Sequence, residues 1–185
     1  HGVTPGDRVA AYTPNCVEAV ITMLATASLG AVFSSCSPDF GLQGVCDRFG
    51  QIEPKILIGC DGYHYAGKAI DRIDVLASLA QKLPTVDTVL VIGYLSAQPD
   101  CSLLPNAMLF DQAVAGATAI TQFRRMPFNA PLYILYSSGT TGAPKCIVHG
   151  IGGTLIQHIK EHRLHTNVKP GDRFFYFTTC GWMMW

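Results

Sequence analysis

The chain has 185 residues, 49% of them apolar, which reads as globular and suffices for one large hydrophobic core or two small ones. Thirteen lysines and arginines balance thirteen aspartates and glutamates, so no strong global field would hold nucleic acid or an anionic bilayer, and neither is expected as a partner. Seven cysteines (Cys16, Cys36, Cys46, Cys60, Cys101, Cys146 and Cys180) are scattered singly without a C-x-x-C pair, which argues against a zinc ribbon or a disulfide framework and for a reducing, cytoplasmic setting.

Asp7 to Tyr12 reads as a short strand. Asn15 with Glu18 three residues later is a capping box opening a helix from Cys16 to Leu29, and Gly30 closes it. No charge occurs from Ala19 to Pro38, a span long enough to raise a membrane helix. Thr22, Thr26, Ser28 and Gly30 interrupt it, however, and "AVFSS" follows as a buried strand. No basic region of a signal peptide precedes it. A helix from about Gly41 to Ile52 comes next, then "KILIGC" as a strand, then a helix from about Gly67 to Leu83 with Ile70, Ile73, Leu76, Leu79 and Ala80 on one face. "TVLVIG" returns to strand, Tyr94 to Asn106 is a surface excursion, and a short strand and helix occupy Met108 to Ala115.

Gly116 to Pro131 is an irregular crossing. Beyond it a strand at Leu132 to Tyr136 leads into a polar loop, "KCIVHG" is a second strand, Gly153 to His165 a helix and "RFFYFTT" another strand. Apolar strands alternating with helices imply a doubly wound, mostly parallel α/β sheet with helices on both faces. The expected division is a first α/β subdomain over 1–131 and, over 132–185, the polar loop and the start of a second sheet. His1 and the closing "GWMMW" suggest an internal piece of a longer chain.

The loop from Ser137 to Lys145, "SSGTTGAPK", offers four hydroxyls, two glycines and one ammonium, the inventory of a phosphate cradle. A Walker A loop needs G-x-x-x-x-G-K-[ST] running into a helix; here Lys145 follows Ala143-Pro144 and a β-type run comes next. A ligand-free turn of Gly and Thr is the plain alternative. His158 to His162 also spells H-x-x-E-H, a zinc-hydrolase pattern whose confirmation would need a third ligand from elsewhere. A polar helix face accounts for it more simply, and no protein metal ligand is assigned. His149 either shapes the site or ends its strand.

The stretch "YSSGTTGAPKCIVHG" resembles the phosphate loop of the acyl-adenylate-forming superfamily, which includes the acyl-CoA synthetases and luciferases. The segments "CSPDFG", "DRFGQIEPKIL", "GGTLIQHIKEH" and "TTCGWMMW" look closest to the branch that activates acetoacetate. The resemblance implies the large N-terminal domain of such an enzyme, with acetoacetate, ATP and CoA as small-molecule substrates. It implies Mg2+ as well, with its ligand, the adenine loop and a catalytic lysine of a second domain outside this stretch. Enzymes of this kind form an acyl-adenylate with release of pyrophosphate, and the CoA thiol then displaces AMP. The stretch alone would be inactive. On this resemblance Ser137, Ser138, Gly139, Thr140, Thr141, Gly142 and Lys145 hold the ATP phosphates, and Lys145, Thr140 and Thr141 serve catalysis. Trp182 and Met183 line the acyl pocket. Phe33, Ser34 and Lys68 align with segments that touch CoA in the acetate-activating branch, with Tyr65 where that branch carries a second basic residue. Activation of acetate or another short acid, and ATP binding without chemistry, are the alternatives.

Overall fold

The computed structural model describes residues 1–104, 106–138 and 142–185. Strand β1 (Arg8–Tyr12) leads through helix α1 (Val17–Ser28) to β2 (Val32–Cys36), and α2 (Leu42–Phe49) leads to β3 (Ile56–Cys60). A hairpin, β4 (Gly62–Tyr65) and β5 (Lys68–Asp71), precedes α3 (Ile73–Lys82) and β6 (Thr88–Ile92). Then come β7 (Ala107–Leu109), α4 (Phe110–Val114), β8 (Pro131–Ser137), β9 (Lys145–Gly150) and α5 (Ile151–Lys160), with a π-helical turn at Glu161–His165.

Seven strands form one sheet in the order β7-β6-β3-β1-β2-β8-β9, parallel throughout except for the antiparallel β8–β9 pair. The mostly parallel α/β sheet expected from the alternating pattern is thus present. The hairpin expected to open a second sheet at Leu132 instead extends the first, with Phe33 opposite Tyr133 and Ser34 opposite Ile134.

Side chains of the central strands alternate between two cores. Ala10, Tyr12, Leu57, Val89 and Val91 pack with Val45 and Phe49 of α2 and Leu76 and Leu79 of α3. Val9, Ala11, Phe33, Ile56, Ile58 and Leu90 pack on the opposite face with Met23 of α1 and Phe110 of α4. Burial on both faces is why these strands read as unbroken apolar runs. Gly59 faces α3 where any Cβ would collide with Leu76, so its lack of a side chain sets how closely that helix approaches. Burial pushes the thiols of Cys36, Cys60 and Cys180 up to about 12, so they stay protonated at neutral pH and act as small core residues.

Gly30 ends α1 as its sequence promises. Its φ is +73°, its N–H donates to Ala27 and the N–H of Ala31 donates to Thr26, the paired bonds of a Schellman cap. The opening of α1 differs from expectation. Cys16 is the N-cap and makes no side-chain cap bond; the Asn15 amide faces the other way, its Nδ2 donating to the Thr178 carbonyl at 2.6 Å and its Oδ1 accepting from the Cys180 thiol at 3.3 Å.

Two further elements depart from the sequence pattern. The helix expected from Gly67 begins only at Ile73, since Tyr65 and Lys68 pair across a two-residue turn in which Ala66 and Gly67 have φ of +48° and +77°. Positive φ at both turn positions belongs to a type I′ hairpin and is incompatible with a helix start. The expected strand at "RFFYFTT" is not formed: Phe174, Phe175, Tyr176 and Phe177 are 55%, 83%, 53% and 87% exposed and pair with no strand among the described residues. A strand requires an edge to receive it, and the pattern alone cannot supply one.

Asp61, at the end of β3, is 4% exposed. Its carboxylate accepts backbone N–H bonds from Tyr94, Leu95 and Ser96 at 2.8–2.9 Å, fastening the segment after β6 to the base of the β4–β5 hairpin.

Candidate functional site

Parallel strands deliver the segments that follow them to one edge of a sheet, the usual location of ligands in open α/β folds. β8 ends there in Ser137, which is half-buried, followed by the exposed Ser138. Gly139, Thr140 and Thr141 lie outside the described residues. Gly142 has φ of +128°, a conformation that side chains disfavour. Lys145 is the first residue of β9 and stands opposite Ser137 in the ladder. Its side chain is exposed, and among the described residues no carboxylate lies within ion-pairing distance of it. The two ends of the loop are therefore held side by side by the sheet.

Beneath the loop, Tyr136 is buried and its phenol is pushed far above the ordinary range by burial. The Ser34 hydroxyl sits 2.8 Å from the Ile134 carbonyl and 2.9 Å from the Tyr136 hydroxyl, so both its hydrogen-bonding capacities are used internally. The Arg48 guanidinium lies 4.3 Å over the Phe40 ring and 5.8 Å from that of Tyr136 and donates to the Gly44 carbonyl at 2.6 Å. No ion pair joins Arg48 to an acid among the described residues.

The segment preceding Trp185 crosses the ends of β1 and β2. Ser35 donates to the Cys180 carbonyl at 2.6 Å, and a Cβ on Gly181 would press against Phe40 and the Ser37 amide. This brings Trp182, 63% exposed, and the half-buried Met183 to the same sheet edge as the loop. Trp185, not singled out by its sequence context, stacks toward Phe33 with ring centroids 6.3 Å apart. It lines an apolar cleft of about 500 Å³ between α1 and α5, together with Met23, Leu24, Tyr133 and Leu155.

The three residues aligned with CoA-binding segments are not in one place. Phe33 and Ser34 are buried within β2, whereas Lys68 is exposed at the tip of the β4–β5 hairpin beside Tyr65. Whatever Ser34 contributes is through backbone and packing, its hydroxyl being engaged.

In the H-x-x-E-H segment the His158 and His162 rings are 6.3 Å apart, and Glu161 takes up Lys160 at 2.9 Å and the Gln157 amide at 2.8 Å. The α-helix expected through His165 gives way to the π-helical turn at Glu161. Among the described residues no three His, Cys, Asp or Glu side chains cluster so as to hold a metal ion. His149 packs on Tyr133 with centroids 5.1 Å apart, its Nε2 buried without a hydrogen-bond partner among the described residues.

A family model described as AMP-binding enzyme matches residues 1–185, and the chain belongs to that family. Over 190 aligned residues it is 54% identical to the acetoacetyl-coenzyme A synthetase of Rhizobium meliloti (strain 1021) and 48% identical to the acetoacetyl-CoA synthetase of Gallus gallus, covering 100% of this chain and 28% of each relative. The solved acetoacetyl-CoA synthetase from Streptomyces lividans matches the fold with a TM-score of 0.92 at 47% identity, again over 100% of this chain and 28% of that one. The chain thus spans little more than a quarter of the length of these relatives.

Proposed function

We propose that this chain carries the phosphate-binding part of an AMP-forming acetoacetate–CoA ligase. In the whole protein an acetoacetate oxygen attacks the α-phosphorus of ATP, the bond to pyrophosphate breaks, and an acyl-adenylate forms. The CoA sulfur then attacks the acyl carbonyl and AMP leaves. Ser137, Ser138, Gly139, Thr140, Thr141 and Gly142 hold the phosphate oxygens, and Lys145 neutralises the charge that accumulates as pyrophosphate departs. Mg2+, held by residues elsewhere in the protein, would share that neutralisation. Trp182 and Met183 contact the acyl group, and Lys68 reaches a CoA phosphate. The seven free thiols, three buried and four half-buried, fit a reducing cytoplasm, and among the described residues no helix is long and apolar enough to cross a membrane.

The observation that carries this reading is the placement of Lys145: an exposed ammonium with no acidic partner among the described residues, set opposite Ser137 at the exit of a loop rich in hydroxyls. Acetoacetate-dependent ATP–pyrophosphate exchange in the full-length protein tests it. Lys145→Ala should lower the exchange rate by about a hundredfold to a thousandfold while weakening ATP binding much less. An unaffected variant removes the loop from the chemistry, and exchange driven equally by acetate reassigns the substrate. Lys68→Ala should raise the KM for CoA and leave exchange intact, because CoA enters only after the adenylate has formed.

A further inference from the structure

We propose that Gln51 is a positioning residue for the loop that carries Lys145, an inference that rests on the phosphate-binding reading above. Gln51 lies in the turn after α2, and its side-chain Nε2 donates to the Pro144 carbonyl at 2.8 Å, across 93 positions of sequence, and to the Asp47 carbonyl at 2.5 Å. A side-chain amide has two N–H groups to give, and two backbone carbonyls receive them. The Asp47 bond ties the amide to its own helix and thereby aims the second N–H at Pro144.

The Pro144 carbonyl belongs to the peptide unit whose nitrogen is that of Lys145. The proline ring already restricts φ at position 144, so a bond to this carbonyl constrains the remaining rotation, the one that orients the Lys145 backbone as it enters the ladder opposite Ser137. The same helix supports the other arm of the loop. Arg48, held by Phe40 and the Gly44 carbonyl, lies against the Tyr136 ring one residue before Ser137. α2 and the turn that follows it therefore touch both the strand that enters the loop and the residue that precedes its lysine. Gln51 itself is exposed, so its loss leaves no buried group unsatisfied. Its effect should fall on geometry rather than on folding, and small displacements of a charge-stabilising group are costly to catalysis.

The test uses the full-length protein and ATP–pyrophosphate exchange with acetoacetate. Gln51→Ala should lower kcat about threefold to tenfold, the size of one net hydrogen bond, with the KM for ATP and the melting temperature nearly unchanged. Gln51→Glu, of the same shape but able only to accept, should fall as far or further, whereas Gln51→Lys, which keeps a donor, should recover most of the rate. In a Lys145→Ala background Gln51→Ala should cost less than about twofold, because residues acting through one another are not additive. A large Lys145 effect with a silent or fully additive Gln51→Ala overturns the positioning role alone. A Lys145→Ala enzyme that exchanges normally overturns the phosphate-binding reading itself, and the role of Gln51 with it. A Gln51→Ala protein that loses kcat only in proportion to a lowered melting temperature shows Gln51 to be merely structural.

Discussion

The central strands β1, β2 and β3 and the segment at residues 173–179 have similar apolar sequences and opposite fates. "VFSSC" and "ILIGC" are buried at every position, whereas Phe175 and Phe177, in an equally apolar run, are 83% and 87% exposed. Each central strand has a hydrogen-bonded neighbour on both sides and helices over both faces. Residues 173–179 pair with no strand among the described residues, and their neighbours are the Asn15 amide on the Thr178 carbonyl and the His162 ring 6.4 Å from that of Phe174. Hydrophobicity nominates a strand, and a free edge with a covering layer is what makes one.

Hydrogen exchange reads the difference between the two regions most directly. In the 185-residue chain, amides of β1 and β3 should be protected on the order of a thousandfold or more relative to those of residues 173–179; equal protection would mean that an edge receives the segment after all. In the full-length protein the same amides should become protected, because the additional chain can supply a neighbouring strand.

Mutations sharpen the contrast in decreasing order. Phe49→Ala, emptying a fully buried site under α2, should cost about 3–5 kcal/mol in urea unfolding of the 185-residue chain. Asp61→Ala strands the Leu95 and Ser96 donors, Tyr94 keeping the Ile92 carbonyl at 3.0 Å, and should cost about 1–3 kcal/mol, with the segment around Tyr94–Ser96 becoming the fastest to be cleaved by protease. Phe177→Ser should change stability by no more than about 0.5 kcal/mol and should improve solubility by removing exposed apolar surface. A loss comparable to that at Phe49 would place Phe177 in a core.

Which features were legible in the sequence follows from how local their causes are. Gly30 was readable because a left-handed cap is a property of one residue and its helix. The Ser137–Lys145 loop stood out as a candidate because its hydroxyls, glycines and lysine are concentrated in nine consecutive positions, of which Gly139, Thr140 and Thr141 lie outside the described residues. The Asn15–Glu18 capping box was not realised, because the partners that take the Asn15 amide, the Thr178 carbonyl and the Cys180 thiol, are 163 and 165 residues away. The β4–β5 hairpin was hidden by its Ala66-Gly67 turn, which lacks the Asn-Gly or Asp-Gly signal, although Tyr63 and Tyr65 alternate as a strand should. Trp185 and Gln51 had no local signature. Each matters through a contact made only once the chain has folded, with Phe33 and Pro144 respectively.

Asp61 has a consequence of a different kind. Three successive amides converging on a point form a backbone nest, the same device by which proteins capture free phosphate or sulfate. Here the guest is tethered to the host: the carboxylate arrives with the chain at an effective concentration that no dissolved anion matches. The sheet edge thus contains one anion receptor that is filled in the act of folding. With the Asp61 carboxylate in place, the amides of Tyr94–Ser96 are closed to any dissolved anion before one can arrive.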